Sequence, residues 1–295
     1  MHNKVNPWNI FLVTALGVWM ATIDAGIVNV ALPTLTHEFH IAITHVQWVV
    51  SGYLLVICAS LPLFGRLGDI YTRRVMYLLG LSIFLVTSAL CGLAWSFWSL
   101  IIFRFVQGLG GSMIMANNQA IILTTFPKGK QAQALGINSM LVAIGLIAGP
   151  GLGGLLISLA SWRLIFYINI PIGILGCLMG YYIMPKEEAG NASDHIDFPG
   201  AVLFAFSMCC FILALTYKIT SLIPIIILSL FVFIKWEKYS KNPMIDLHIF
   251  KIQTYLFGII ITFIAFVAFA FNGILLPFYL QAQSSKPQYT PPSYQ

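Results

Sequence analysis

Apolar residues recur along this chain in long runs, not in alternation. Nine stretches, residues 10–32, 46–64, 75–94, 100–126, 134–160, 166–184, 200–217, 222–236 and 255–280, are nearly free of charge and are separated by short polar turns. A helix rises 1.5 Å per residue and must cross roughly 30 Å of hydrocarbon, so runs of this length predict membrane-spanning helices; 222–236 is barely long enough. Barrel strands would show alternation over about ten residues, whereas these runs are apolar all round, and a helix satisfies its own backbone inside lipid. The expected class is an all-α membrane protein.

Composition agrees, since 59% hydrophobic against 8% charged residues cannot give a soluble globule a water-compatible surface. Placing the amino end in the cytoplasm puts eleven basic residues inside (Lys4, Arg66, Arg73, Arg74, Lys128, Lys130, Lys186, Lys235, Lys238, Lys241 and Lys251) and three outside (Arg163, Lys218 and Lys286). The net charge of +6 is then accounted for by an anionic leaflet, so the lipid bilayer is the expected partner and nucleic acid is not. The first run is too long and too polar for a cleaved leader and is expected to stay as an anchor. The five cysteines fall in apolar runs without metal-type spacing, so no metal, disulfide or other cofactor is expected.

Along the chain the expected organisation is a six-helix bundle over 1–184, a cytoplasmic linker at 185–199, a helix pair at 200–236, a cytoplasmic loop at 237–254 and one further helix at 255–280. Short basic turns recur after the second and fourth runs, as an inverted repeat of three plus three helices would give. From 281 to 295 the composition turns to Gln, Ser, Pro and Tyr, which predicts a disordered tail, extracellular in this orientation.

Two charges inside the runs carry the candidate chemistry. Asp24 is the one ionisable residue of the first run, and a carboxylate at membrane depth costs on the order of 2.5 to 3.5 kcal/mol unless it faces a polar cavity or exchanges protons. Withdrawal from water favours the neutral acid, which suits a group that gains a proton outside and loses it inside. Asn29, five residues on and about 140° around the helix, is expected to border the same cavity; a purely local pairing of Asp24 with Asn29 or the backbone is the other reading. Arg104, the one arginine within a run and, apart from Lys235 at the end of the eighth, the one cation, needs a carboxylate, carbonyls or water, or else snorkels to the outer face.

The segment 65–74 brings Gly65, Gly68, Asp69, Arg73 and Arg74 between two runs, where Asp69 is placed to cap a helix or pair with an arginine. It resembles the signature loop of the major facilitator superfamily, Gly-x-Leu-[Ala/Gly]-Asp-Arg-x-Gly-Arg-Arg, with Ile70 and Thr72 as departures. Arg104-Phe105-Val106-Gln107-Gly108 is similar to that superfamily's fourth-helix Arg-x-x-Gln-Gly pattern, associated there with proton transfer. Gly145, Gly149, Pro150, Gly153 and Gly154 form a surface for close helix contact and a bend, and their spacing is similar to the antiporter motif of the drug exporters. Residues 22–33 resemble the first-helix pattern Leu-Asp-x-Thr-Ile-Val-Asn-Val-Ala-Leu-Pro of the fourteen-helix drug:proton antiporters, Gly26 standing where Thr is usual. Matches at 48–53, 161–163, 168–173 and 243–247 extend the resemblance over 8–280.

The resemblance implies a proton-coupled antiporter of the cell membrane that exports hydrophobic or cationic drugs and so confers antibiotic resistance, its partners being a small-molecule substrate and protons. Asn29, Trp48, Tyr53, Gln107, Asn117 and Asn118 are the candidate cavity residues, although aromatic and Met positions in such runs also pack internally or face lipid. Neither a phosphate-binding Gly-x-x-x-x-Gly-Lys-[Ser/Thr] nor a hydrolase signature is present, so an enzyme is not expected. The rival expectation is a chain cut short after its ninth helix, a transport-inactive fragment unless a complementary bundle or self-association supplies a second wall; export of another small metabolite is a third.

Overall fold

The computed structural model describes residues 6–186, 197–240, 243–245 and 247–284. All regular structure among them is helical: α1 (Pro7–Phe39), α2 (Ile43–Val46), α3 (Trp48–Ile70), α4 (Arg73–Gly92), α5 (Phe97–Thr125), α6 (Lys128–Leu159), α7 (Leu164–Tyr167), α8 (Asn169–Ile183), α9 (Phe198–Tyr217), α10 (Ile223–Tyr239) and α11 (Gln253–Ser284), with two short 3-10 turns. Eight helices among the described residues are long and apolar enough to span a membrane, counting α2 with α3, α7 with α8 and a 3-10 turn with α10. The chain is a multi-pass membrane protein.

Capping residues explain several boundaries. Asn6 accepts from the Trp8 N–H at 3.0 Å and Pro7 opens α1, where its missing donor costs nothing. Ser96 and Ser99 cap the start of α5 reciprocally, each hydroxyl accepting from the other's N–H at 3.1 Å. Asp197 caps α9 through the Gly200 N–H and also accepts from the Trp236 indole at 2.9 Å, tying α9 to α10. Helix α1 runs six residues past Pro33, beyond the run expected to end at 32, and closes on His40 with a left-handed φ of 53°. At the other end of the chain α11 continues through Ser284, so 281–284 are helical where a disordered tail was expected; 285–295 lie outside the described residues, as do 187–196 of the linker.

Helix α1 is the axis of the bundle. Of its most apolar eighteen residues 78% are buried, against 17% for α6, most of which is exposed. Helices α5, α6 and α8 pack on α1, and α3, α4 and α8 complete the ring. One apolar cluster gathers Ile27, Val28, Leu35, Val49, Leu100 and Phe166, and a second gathers Met20, Tyr53, Tyr77, Phe84 and Ile114. Tyr77 of α4 donates its hydroxyl to the carbonyls of Val13 and Thr14, both at 3.0 Å, and Gly17 leaves the space its ring tip occupies. Helix α9 lies on α3, with α10 beside it. The residues to Ile245 form one compact unit and those from Asp246 a second, made of a 3-10 turn at Leu247–Lys251 and α11.

Glycine brings α1 and α6 to backbone contact. A Cβ on Gly149 would lie 2.8 Å from the Gly26 Cα, one on Gly153 would lie 3.0 Å from the Ile27 carbonyl, and one on Gly145 would meet the Thr22 hydroxyl. Pro150 has no N–H to give Leu146, four residues back, and that freed carbonyl lies 3.2 Å from where a Gly26 side chain would start. Gly26 is therefore needed for fit, which explains its place where a Thr is usual. Gly151 and Gly154, by contrast, face open space.

Alanine at Gly149 is expected to lower the thermal unfolding temperature in detergent, overpacking costing about 1–3 kcal/mol. At Gly154 the same change is expected to be neutral or to stabilise by up to about 1 kcal/mol through helix propensity. Equal effects at the two positions would contradict the α1–α6 contact.

Candidate functional site

Asp24, on the most enclosed helix of the bundle, is 1% exposed, and Arg104 of α5 is 0% exposed. They meet: Arg104 Nη1 donates to Asp24 Oδ2 at 2.5 Å. The sequence stranded one acid and one base in separate apolar runs, and burial at such cost is tolerable only if the two charges find each other. Arg104 thus does not snorkel outward. Asp24 is not paired with Asn29, which is exposed and donates locally to the Ala25 carbonyl; the 140° between them is enough to turn Asn29 off the enclosed face.

Neutral groups complete the cluster. Asn169 Nδ2 donates to Asp24 Oδ1 at 2.9 Å, and Gln107 Nε2 donates to the same oxygen at 3.4 Å and to Ser88 Oγ at 2.8 Å. Gln107 Oε1 accepts from Arg104 Nη1 at 2.7 Å and from the Cys91 thiol at 3.7 Å. Arg104 Nε donates to the Val49 carbonyl at 2.9 Å, while the guanidinium carbon lies 4.1 Å from the centre of the Tyr53 ring and 5.7 Å from that of Phe166. Six helical elements meet here: α1, α3, α4, α5, α7 and α8. Asn169 is offered by a break in the chain, for Pro171 cannot donate to the Tyr167 carbonyl four residues back and the helix resets between α7 and α8. Two polar atoms of the cluster are buried without a partner, Arg104 Nη2 and Asn169 Oδ1.

The remaining candidates separate from this centre. Tyr53 and Gln107 are fully buried within the cluster and line no open space. Trp48 donates its indole N–H to the Tyr217 hydroxyl at 2.8 Å and stacks on that ring, so it belongs to the α3–α9 contact and a lateral groove shared with His45, Phe97 and Phe105. Asn117 donates to the Phe64 and Met113 carbonyls, its side chain filling the space a larger residue at Gly68 would need. Asn118 donates to Asn138 Oδ1 at 3.1 Å and joins α5 to α6. Both amides are buried and bind helices together, Asn117 joining α5 to α3 and Asn118 joining α5 to α6.

The segment expected to form a loop over 65–74 is mostly helix, and only Tyr71 and Thr72 lie between α3 and α4. Thr72, the departure from Gly, is extended and caps α4 by accepting from the Val75 N–H at 3.1 Å. Asp69 pairs with Arg73, Oδ1 accepting from Nη2 at 2.8 Å and Nε at 3.1 Å, and Arg73 also reaches the Ala120 carbonyl of α5. Arg74 donates to the Tyr181 carbonyl of α8 at 2.9 Å. Gly65 has open space beside it. Ser88 and Phe166 were not singled out from sequence, Asn169 entered only within the match at 168–173 and Cys91 only as a packed thiol; none was placed in the site, since each is an ordinary residue of an apolar run until the helices are assembled.

Comparison with known proteins agrees with this architecture. The family model of the Major Facilitator Superfamily matches residues 14–290. The chain is 35% identical over 282 residues to the riboflavin transporter RibZ of Clostridioides difficile, covering 93% of this chain and 61% of that protein. It is 32% identical to the tetracenomycin C resistance and export protein of Streptomyces glaucescens, over 93% and 53% of the two chains, and 36% identical to the multidrug resistance protein Stp of Mycobacterium tuberculosis, over 90% and 51%. The chain spans between half and three fifths of these relatives. A bacterial homologue of the human lysosomal transporter Spinster, solved in an inward-facing, occupied conformation, has the same fold, with a TM-score of 0.53 at 22% identity over 69% of this chain and 52% of that one.

Removing one member of the buried pair strands the other. Arg104→Met is expected to destabilise the bundle by about 3–5 kcal/mol, and the double substitution with Asp24→Asn to recover much of that loss. A double-mutant cycle of thermal unfolding in detergent measures the coupling; additive losses would mean that the two charges do not act as a pair.

Proposed function

The chain belongs to the Major Facilitator Superfamily, and on that premise we propose that it is part of a proton-coupled antiporter exporting hydrophobic or cationic compounds. The observation that carries the reading is the buried Asp24–Arg104 pair. Within lipid a protonatable acid held against a permanent cation has two states of different charge, and each favours a different packing of the helices around it. The exporters among the relatives, together with the glycine face of α6, support the direction of transport and the substrate class.

Chemically, a proton reaching Asp24 removes its charge and with it the main attraction across α1 and α5. Arg104 is not abandoned, since Gln107 Oε1, the Val49 carbonyl and the faces of Tyr53 and Phe166 still hold the guanidinium on α5 and its neighbours. The pair is a latch, and opening it frees α1. Two residues along α1, Gly26 meets Gly149 with no side chain between, a surface over which α1 can turn against α6 with little steric hindrance. Asp69 and Arg73 hold the turn between α3 and α4 to α5, which suits a gate on the side assigned to the cytoplasm by the basic residues. Proton energy is thereby converted to a change in bundle packing, with the substrate exchanged against the proton around it. A metabolite cargo is the second reading, favoured by the riboflavin transporter among the relatives.

Proteoliposomes holding the protein, loaded with a lipophilic cation and given an inward proton gradient, are expected to lose cation and take up protons together. Asp24→Asn is expected to abolish the gradient-driven component. Undiminished exchange in that variant would overturn proton coupling through Asp24, while riboflavin movement without cation efflux would select the metabolite reading.

A further inference from the structure

A residue that carries protons must be stable in both of its states, and the Asp24 cluster as described provides for only one. Ionised Asp24 is well served: Arg104, Asn169 and Gln107 all donate to it. Once protonated it becomes a donor, and a hydroxyl left without an acceptor in a dry site costs about 1–3 kcal/mol. Unless an acceptor is at hand, the neutral acid is penalised and the latch does not open.

Most acceptors around it are committed. Gln107 Oε1 already takes Arg104 Nη1 and the Cys91 thiol, the Val49 carbonyl takes Arg104 Nε, and Ser88 Oγ takes Gln107 Nε2. The groups facing Asp24 that can bear charge are Arg104 from α5, Tyr53 from α3 and Cys91 from α4. Helix α6 offers glycines and Pro150 to this part of α1, and α7 and α8 offer Phe166 and Asn169. One buried acceptor of the cluster has no partner at all. Asn169 Oδ1 is buried with no partner, on a side chain 1% exposed whose other atom, Nδ2, already touches Asp24.

We propose that Asn169 is a positioning residue for both states of Asp24: its amide N–H donates to the carboxylate, and after the terminal amide turns over, its carbonyl accepts the proton of the neutral acid. An amide is nearly the same shape either way, so the turn exchanges donor for acceptor without disturbing the packing. In the step itself one O–H bond of a hydronium ion breaks and one O–H bond forms on the Asp24 carboxylate, leaving a neutral acid and a water molecule. Arg104 keeps its charge and its remaining partners. A hydroxyl on a shorter arm, an apolar side chain or a second acid at 169 would each fail in one state or leave an extra charge. The inference rests on the proton-coupling reading given above.

Infrared difference spectroscopy of the whole chain in lipid nanodiscs, stepped between high and low pH, tests it. The carbonyl stretch of a protonated carboxyl is assigned to Asp24 by its loss in Asp24→Asn. In the unsubstituted protein that band is expected at the frequency of a hydrogen-bonded acid, and Asn169→Leu is expected to shift it upward to that of a free acid. A free-acid frequency in the unsubstituted protein would overturn the proposal, even if Asn169→Leu does not fold. So would an unshifted band in a folded Asn169→Leu protein, and that result would leave proton coupling standing. No Asp24 band at any pH would remove proton coupling and this inference together.

Discussion

A guanidinium and a carboxylate, both withdrawn from water, hold the centre of this bundle. The desolvation of two ions is of the order of several kcal/mol each even after relaxation, so the pair persists only because its hydrogen-bonding capacity is largely filled by neighbours. Those neighbours come from α3, α4, α7 and α8 as well as from α1 and α5, and the helices are consequently constrained to one mutual arrangement. Apolar packing alone does not impose this in lipid, where exchanging one hydrocarbon neighbour for another gains little. Polar partners decide which helix sits where, and glycines decide how closely.

The two devices are adjacent on α1. Asp24 faces α5 and Gly26 faces α6, so one short stretch of helix is bound on one side by charge and on the other by bare backbone. On the proton-coupling proposal, loss of the charge would release α1 on one side while it borders α6 without interlocking side chains, the ingredients of a two-state element.

Much of the scaffold was legible in the sequence because the hydrophobic runs are long and do not alternate; the expected spans and the observed helices differ mainly at their ends, where caps such as Asn6 and Thr72 and the tolerated Pro33 carry helices beyond the apolar core. Asp24 and Arg104 stood out as isolated charges. Their contact did not, since eighty positions separate them, although one acid and one base confined to oil have few alternatives to meeting. Amides were the least legible. Asn117, Asn118 and Asn169 look alike as single letters, yet the first two fasten helices while Asn169 reaches the acid from a break made by a proline two residues later. An aromatic residue such as Tyr53 was equally ambiguous, since a ring under a guanidinium and a ring lining a cavity share one composition.

The hydroxyl of Tyr77 has a mechanical meaning that follows from where it bonds. It fastens α1 at Val13 and Thr14, ten residues, or about 15 Å, from the acid. A stiff rod pinned at one point and unfastened at another cannot translate; it pivots. On the proton-coupling proposal Tyr77 would be the fulcrum of α1, and a release at Asp24 would be felt most at the end of the lever, towards Phe39.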